Sequence, residues 1–203
     1  TPLPSPAGPG GRHKVRGIIV SQWSEDLIPV EQAGTLDGLF WQRVRRSPDR
    51  VAYRFYERDS GWRSLTWGAM GEAVARWCQA LAGEALGAGD RVAVLLRNCP
   101  EWVMFDQAAL SLGLVTVPLY TDDRADNAAH IIQDAAVKVL LVQDLGRWRR
   151  VAEALGDCAY PQRVILLESG AGAEQAAAAD PRVVVAGQWL PESAPPPQAR
   201  EAD

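Results

Sequence analysis

Side chains able to do chemistry are few in this chain, and their spacing points to packing rather than catalysis. Asp122, Asp123 and Asp126 form a compact acidic set, the kind of oxygen cluster that can hold a hard cation. They stand just ahead of a helical pattern, however, where Asp is favoured as a cap and suits the positive end of the helix dipole. The expectation is that Asp122 and Asp123 cap that helix. Gly87-Ala88-Gly89 lies after a helix and before a strand, the reverse of a dinucleotide loop, and reads as a turn. Ser169-Gly170-Ala171-Gly172 has the right order, but the third glycine is missing and Glu174 with a run of alanines follows. A plain loop is expected there. His13 and His130 are the only imidazoles, and no serine has an identifiable His–Asp pair. Cys78, Cys99 and Cys158 are odd in number and widely spaced, so they read as free thiols of a reducing compartment, not as a disulfide frame or a zinc site. No catalytic, cofactor-binding or metal-binding residue is expected.

The elements that would position any site are legible from periodicity. Residues 91–96 are a nearly unbroken apolar run, as in a strand covered on both faces. Pro100 suits a first helical position, and Glu101 the first turn. Trp102, Phe105, Ala109 and Leu112 then give a helical stripe, Gly113 a C-terminal stop, and residues 114–119 a second strand. That is a strand–helix–strand unit with a parallel pair. Upstream, Leu36, Leu39, Phe40 and Val44 make one helical face, ended by Ser47-Pro48. Residues 51–57 and 62–66 form a hairpin around Asp59-Ser60-Gly61. Thr66 caps a helix carrying Met70, Val74, Trp77 and Leu81. Downstream, helices with Ala128, Ile131, Ile132 and Ala135, and with Leu145, Trp148, Ala152 and Leu155, alternate with strands at residues 137–142, 163–167 and 182–186. The fold expected is α/β: a mostly parallel sheet of about five strands with helices on both faces, plus an N-terminal β-hairpin. Trp67, Trp77, Trp102 and Trp148 all fall on or beside apolar stripes and are expected in the core.

Four stretches, in order, carry a resemblance. TLDGLFWQRVRRSPDRVAYRF at residues 35–55, SLTWGAM at 64–70, NCPEW at 98–102 and ALSLGLVTVPLY at 109–120 resemble the N-terminal region of the acyl-adenylate-forming (AMP-binding) enzymes, most of all the long-chain fatty-acid–CoA ligases. The resemblance spans roughly residues 35–144. It implies a parent reaction in which ATP activates a fatty acid to acyl-AMP, followed by thioester formation with CoA, and it implies ATP, Mg²⁺ and CoA as cofactors of the parent. The family's phosphate loop, ribose-binding Asp and mobile-domain Lys have no counterpart in this sequence. The chain is therefore expected to be an inactive N-terminal scaffold whose partner is the remainder of the synthetase. A non-catalytic binding or assembly module of the same fold is the alternative.

Residues 1–34, rich in Pro and Gly at their start, are expected to be a flexible extension, residues 35–188 the α/β subdomain, and residues 189–203 a linker. The basic group Arg12, His13, Lys14 and Arg16 reads as a solvated tail. A net charge of −4 and a pI near 5.3 give no electrostatic reason to expect nucleic acid. No run approaches a membrane span, and no secretory leader is recognisable. A cytoplasmic location is expected; peripheral membrane contact and self-association through an exposed apolar patch stay open, as do acyl length and oligomeric state.

Overall fold

Alternation of side chains along a strand explains the architecture. The computed structural model describes residues 26–198. From the amino end these form α1 (Val30–Ala33), α2 (Leu36–Arg46), the strands β1 (Val51–Glu57) and β2 (Gly61–Thr66), and α3 (Trp67–Ala82). A strict alternation follows: β3 (Arg91–Leu95), α4 (Pro100–Ser111), β4 (Val115–Pro118), α5 (Ala125–Asp134), β5 (Val139–Val142), α6 (Leu145–Leu155), β6 (Arg163–Leu166), α7 (Ala171–Ala179), β7 (Val183–Val185) and α8 (Ala186–Trp189). The five later strands make one parallel sheet in the order β4-β3-β5-β6-β7. Val92, Val94, Val139, Leu141 and Ile165 pack with α2, α3 and α4. Their neighbours Ala93, Leu95, Leu140, Val142 and Val164 pack with α5, α6 and α7. Both faces are apolar because both are covered, which is why these strands read as continuous hydrophobic runs.

β1 and β2 form a separate antiparallel pair, with Gly61 at φ 75° where the chain reverses. Thr66 Oγ1 accepts from Ala69 N at 3.2 Å and starts α3, whose Met70, Val74, Trp77 and Leu81 are all buried. α4 begins at Pro100 and ends with Gly113 at φ 72°, where Leu114 N donates to Ala109 O. The turn at residues 86–90 is closed by Asp90, which accepts from Gly87 N and Lys138 Nζ, each at 2.7 Å. All three cysteines are free.

The structure corrects several expectations. The buried face of α2 is Asp37, Phe40 and Trp41, so Leu36 and Leu39 point outward, 71% and 42% exposed. Packing of Trp41 against α3 and α4, with its indole N–H donating to Ser111 Oγ at 3.0 Å, turns the helix away from the leucine stripe. On α4 the core residues are Met104, Phe105, Ala108 and Ala109, while Trp102 is half-buried at a groove. Trp77 and Trp148 are buried as expected, and Trp67 only partly. The N-cap of α5 is Arg124, not Asp122 or Asp123, although Asp123 Oδ1 accepts from Arg124 N and Asn127 Nδ2.

Residues 26–34, inside the expected extension, lie against α2. Asp26 is gripped by Arg43 and Arg50, and Arg46 donates to Leu27 O and to Gln32 Oε1. Residues 1–25, with His13 and the basic group, lie outside the described residues, as do residues 199–203. The start of the expected linker is also held, since Arg76 Nε donates to Pro191 O at 2.6 Å.

Candidate functional site

In open α/β sheets ligands lie beyond the carboxyl ends of the strands, near the point where strand order reverses. Here the order reverses at β3, with β4 on one side and β5 on the other. Two adjoining depressions lie at this end. The larger is lined by Leu96, Arg97 and Asn98 after β3, Trp102 on α4, and Tyr120 and Thr121 after β4. The smaller is bordered by Tyr120, Thr121, Asp123, Arg147 and Arg150. Tyr120, 83% exposed, belongs to both.

The local folding follows from hydrogen bonding. Asp144 caps α6 by accepting from Arg147 N at 2.8 Å. Arg147 Nη1 then reaches across to Thr121 O at 2.5 Å and fixes the loop after β4. Arg147 Nε is buried and finds no acceptor within hydrogen-bond reach among the described residues; Asp144 Oδ2 stands 4.0 Å away. Asp126 pairs with Arg124, whose guanidinium holds that carboxyl below the usual range. The charged groups bordering the smaller depression are of both signs, Arg147 and Arg150 with Asp123. The larger one offers the aromatic faces of Trp102 and Tyr120, the neutral polar Asn98 and Thr121, and the charged Arg97 and Asp122.

This arrangement can bind, but no nucleophile–base pair stands in it. Nor do the residues fit ATP and Mg²⁺. The helix N-termini flanking the reversal already carry carboxylates, Glu101 in the first turn of α4 and Asp144 at the cap of α6, where a phosphate would be repelled. Among the described residues no group of three or more His, Cys, Asp or Glu is placed to hold a metal. Of the acidic set, Asp123 and Asp126 serve loop and helix hydrogen bonding. Gly170 precedes α7 in a loop where Glu168 accepts from Gln143 Nε2. His130 is exposed on α5 and lines neither depression. The sequence carries only a faint signal for the depressions: Asn98 and Thr121, polar residues in the loops that follow β3 and β4.

Residues 40–202 match the family of AMP-binding enzymes. The chain belongs to that family. Among relatives, a long-chain-fatty-acid–CoA ligase of Mycobacterium bovis is 28% identical over 134 residues, which cover 66% of this chain and 22% of the ligase. Malpinin synthetase of Mortierella alpina is 28% identical over 132 residues, 65% of this chain and 2% of that protein. The structure of an acyl-CoA synthetase of Brucella canis superposes with a TM-score of 0.62 at 22% identity, covering 75% of this chain and 27% of that one, a likeness of fold. The chain thus spans about a fifth of the length of the ligase it matches. Within this AMP-binding fold, the depressions lie on a parallel sheet with helices on both faces.

Proposed function

We propose that this chain is the N-terminal part of a longer acid–thiol ligase of the long-chain fatty-acid–CoA type. In that reading the whole enzyme joins a fatty acid carboxylate to the α-phosphorus of ATP with loss of pyrophosphate, aided by Mg²⁺, and CoA thiol then displaces AMP. The observation that carries it is the family match over residues 40–202 in a chain that spans only 22% of its ligase relative. Residues 35–188 serve as the scaffold, residues 1–34 as an extension and residues 189–203 as the lead toward the remainder. Transition-state charge on the α-phosphate needs preorganised donors, and losing one such donor typically costs ~10²–10³ in rate. The described residues offer none that fit, so the chain alone is expected to be silent. The enzyme acts in the cytoplasm, at the membrane surface where long acyl chains reside.

A second reading, a non-catalytic binding or assembly module, is favoured by one feature. Tyr56 and Trp62 stack edge-on at 5.8 Å on the outer hairpin, with Trp62 73% exposed beside an apolar groove bordered by Cys99, Pro100 and Val103. Exchange of labelled pyrophosphate into ATP with palmitate and Mg²⁺ separates the two, run on this chain and on the longer protein. Exchange only in the longer protein supports the ligase. Exchange by the chain alone overturns its scaffold role, and silence from both gives precedence to the module.

A further inference from the structure

The hairpin and the start of α4 border a groove that the fold itself does not fill. Tyr53, Tyr56 and Trp62 of β1 and β2, with Pro100 and Val103 of α4, line about 520 Å³, room for a short peptide segment. Trp62 is 73% and Tyr56 64% exposed, although such large rings are ordinarily well covered. At the far end of the sequence the chain leaves from a fixed base. Trp189 packs against Trp77 with ring centres 5.9 Å apart, Arg76 Nε donates to Pro191 O at 2.6 Å, and Ala194 still lies on the core. Directly after it come Pro195, Pro196 and Pro197, the first two exposed. Proline fixes φ at about −65°, and Ala194, Pro195 and Pro196 each precede a proline, which holds them extended. The run is therefore a stiff polyproline II segment without internal hydrogen bonds.

We propose that this groove takes residues 195–197 of a second copy of the chain. Three observations point to that occupant. The first is the lining. Tyr and Trp rings beside a proline are the surface on which a polyproline II ridge packs, and a segment that is already ordered loses little freedom on docking. The second is hydrogen bonding. Such a segment leaves its carbonyls without internal partners, and the Trp62 indole N–H and the Asn98 amide offer donors at the groove. The third is charge. Arg54, exposed at the groove, is opposite in sign to Glu192, exposed three residues before the proline run. Both surfaces belong to one chain, yet residues 195–197 do not line the groove of their own copy, so the contact runs between copies. Groove and segment are different surfaces, and the association is therefore head to tail, closing into a ring or extending as a row.

Sedimentation velocity of the full 203-residue chain over a wide range of concentration tests this. The weight-average mass is expected to rise with concentration above the 22.0 kDa of one chain. Trp62→Ala should weaken association about tenfold or more, because a Trp at a contact often carries much of its strength. Replacing Pro195, Pro196 and Pro197 together by alanine should do the same. Both changes lie at exposed positions, so thermal melts followed by circular dichroism should match the parent. An equal mixture of the two variants decides the pairing. One keeps the segment and the other the groove, so the mixture should form a dimer and nothing larger, at concentrations where each variant alone is a monomer. If Trp62→Ala disturbs the hairpin, Arg54→Glu gives a weaker association that Glu192→Arg in the same chain restores. A parent that stays monomeric overturns the proposal. So does association that the variants keep, or a mixture that does not pair. The readout is not catalytic, so the proposal stands or falls separately from the ligase reading.

Discussion

Burial, not residue type, decides what each aromatic side chain contributes. Phe105 is fully buried against Trp77, edge-on at 5.7 Å, in the layer formed by α3 and α4. Phe105→Ala should destabilise by about 3–5 kcal/mol. Trp102, three residues earlier, borders the larger depression, and Trp102→Ala should cost only about 1–2 kcal/mol, nearer the average for point substitutions. Chemical denaturation of the two variants checks the ranking; equal losses would mean that Trp102 belongs to the core after all. The thiols follow the same rule. Burial pushes Cys78 up to about 12 and Cys99 up to about 11. At pH 8 the thiolate of Cys99 is then about a thousandth of the total, since nucleophilicity resides in the thiolate. Native iodoacetamide treatment should leave Cys78 unmodified and modify Cys99 only slowly, with intact-mass spectrometry as the readout. Rapid alkylation of either thiol would show that the site opens readily.

Elements are joined by a few polar ties whose pH dependence has a definite sign. The Gly87 N–H and then the Lys138 ammonium hold the Asp90 carboxyl below its ordinary value, tying the turn before β3 to the start of β5. A carboxylate whose folded value is depressed gives stability that is present above the unfolded value, near ~3.9, and lost as pH falls through the folded one. Asp26, held down by Arg43, acts with the same sign on the attachment of residues 26–34. Asp90→Asn should therefore flatten the acid limb of a Tm–pH profile below about pH 4 and leave it parallel to the parent at neutral pH. An unchanged acid limb would mean the tie persists in the unfolded chain. Packing between elements is tested at Gly71, where a methyl group would stand 2.6 Å from Val44 Cγ1. Gly71→Ala should push α2 from α3 and cost about 1–3 kcal/mol, measured in the same way.

At the scale of the whole molecule, the sequence shows its layers more readily than its surfaces. The strands and α3 were legible because a strand buried on both faces is continuously apolar and α3 has one clear stripe. The face of α2 was not, because Leu36-Leu39-Phe40-Val44 and Asp37-Phe40-Trp41-Val44 both fit helical spacing, and only the Trp41–Ser111 contact decides between them. The depressions were hidden for a different reason: they arise from strand order, which places loops some 25 residues apart side by side. β3, β5, β6 and β7 each contribute alternate residues to both layers, so the two layers are expected to unfold as one cooperative body. Phe105 lies on one side of the sheet and Ile132 on the other, with no core cluster in common. Ile132→Ala should cost about 2–5 kcal/mol. Combined with Phe105→Ala, its effect should add to within about 0.5 kcal/mol, because the sites are far apart and share no partners. The variants should still melt in a single transition, coincident by far-ultraviolet and near-ultraviolet circular dichroism. To avoid unfolding the double variant outright, the additivity is read with the milder pair Phe105→Leu and Ile132→Val. A biphasic melt, with the aromatic signal of one layer lost before the backbone signal, would show that the sheet does not couple the layers and that each face unfolds by itself.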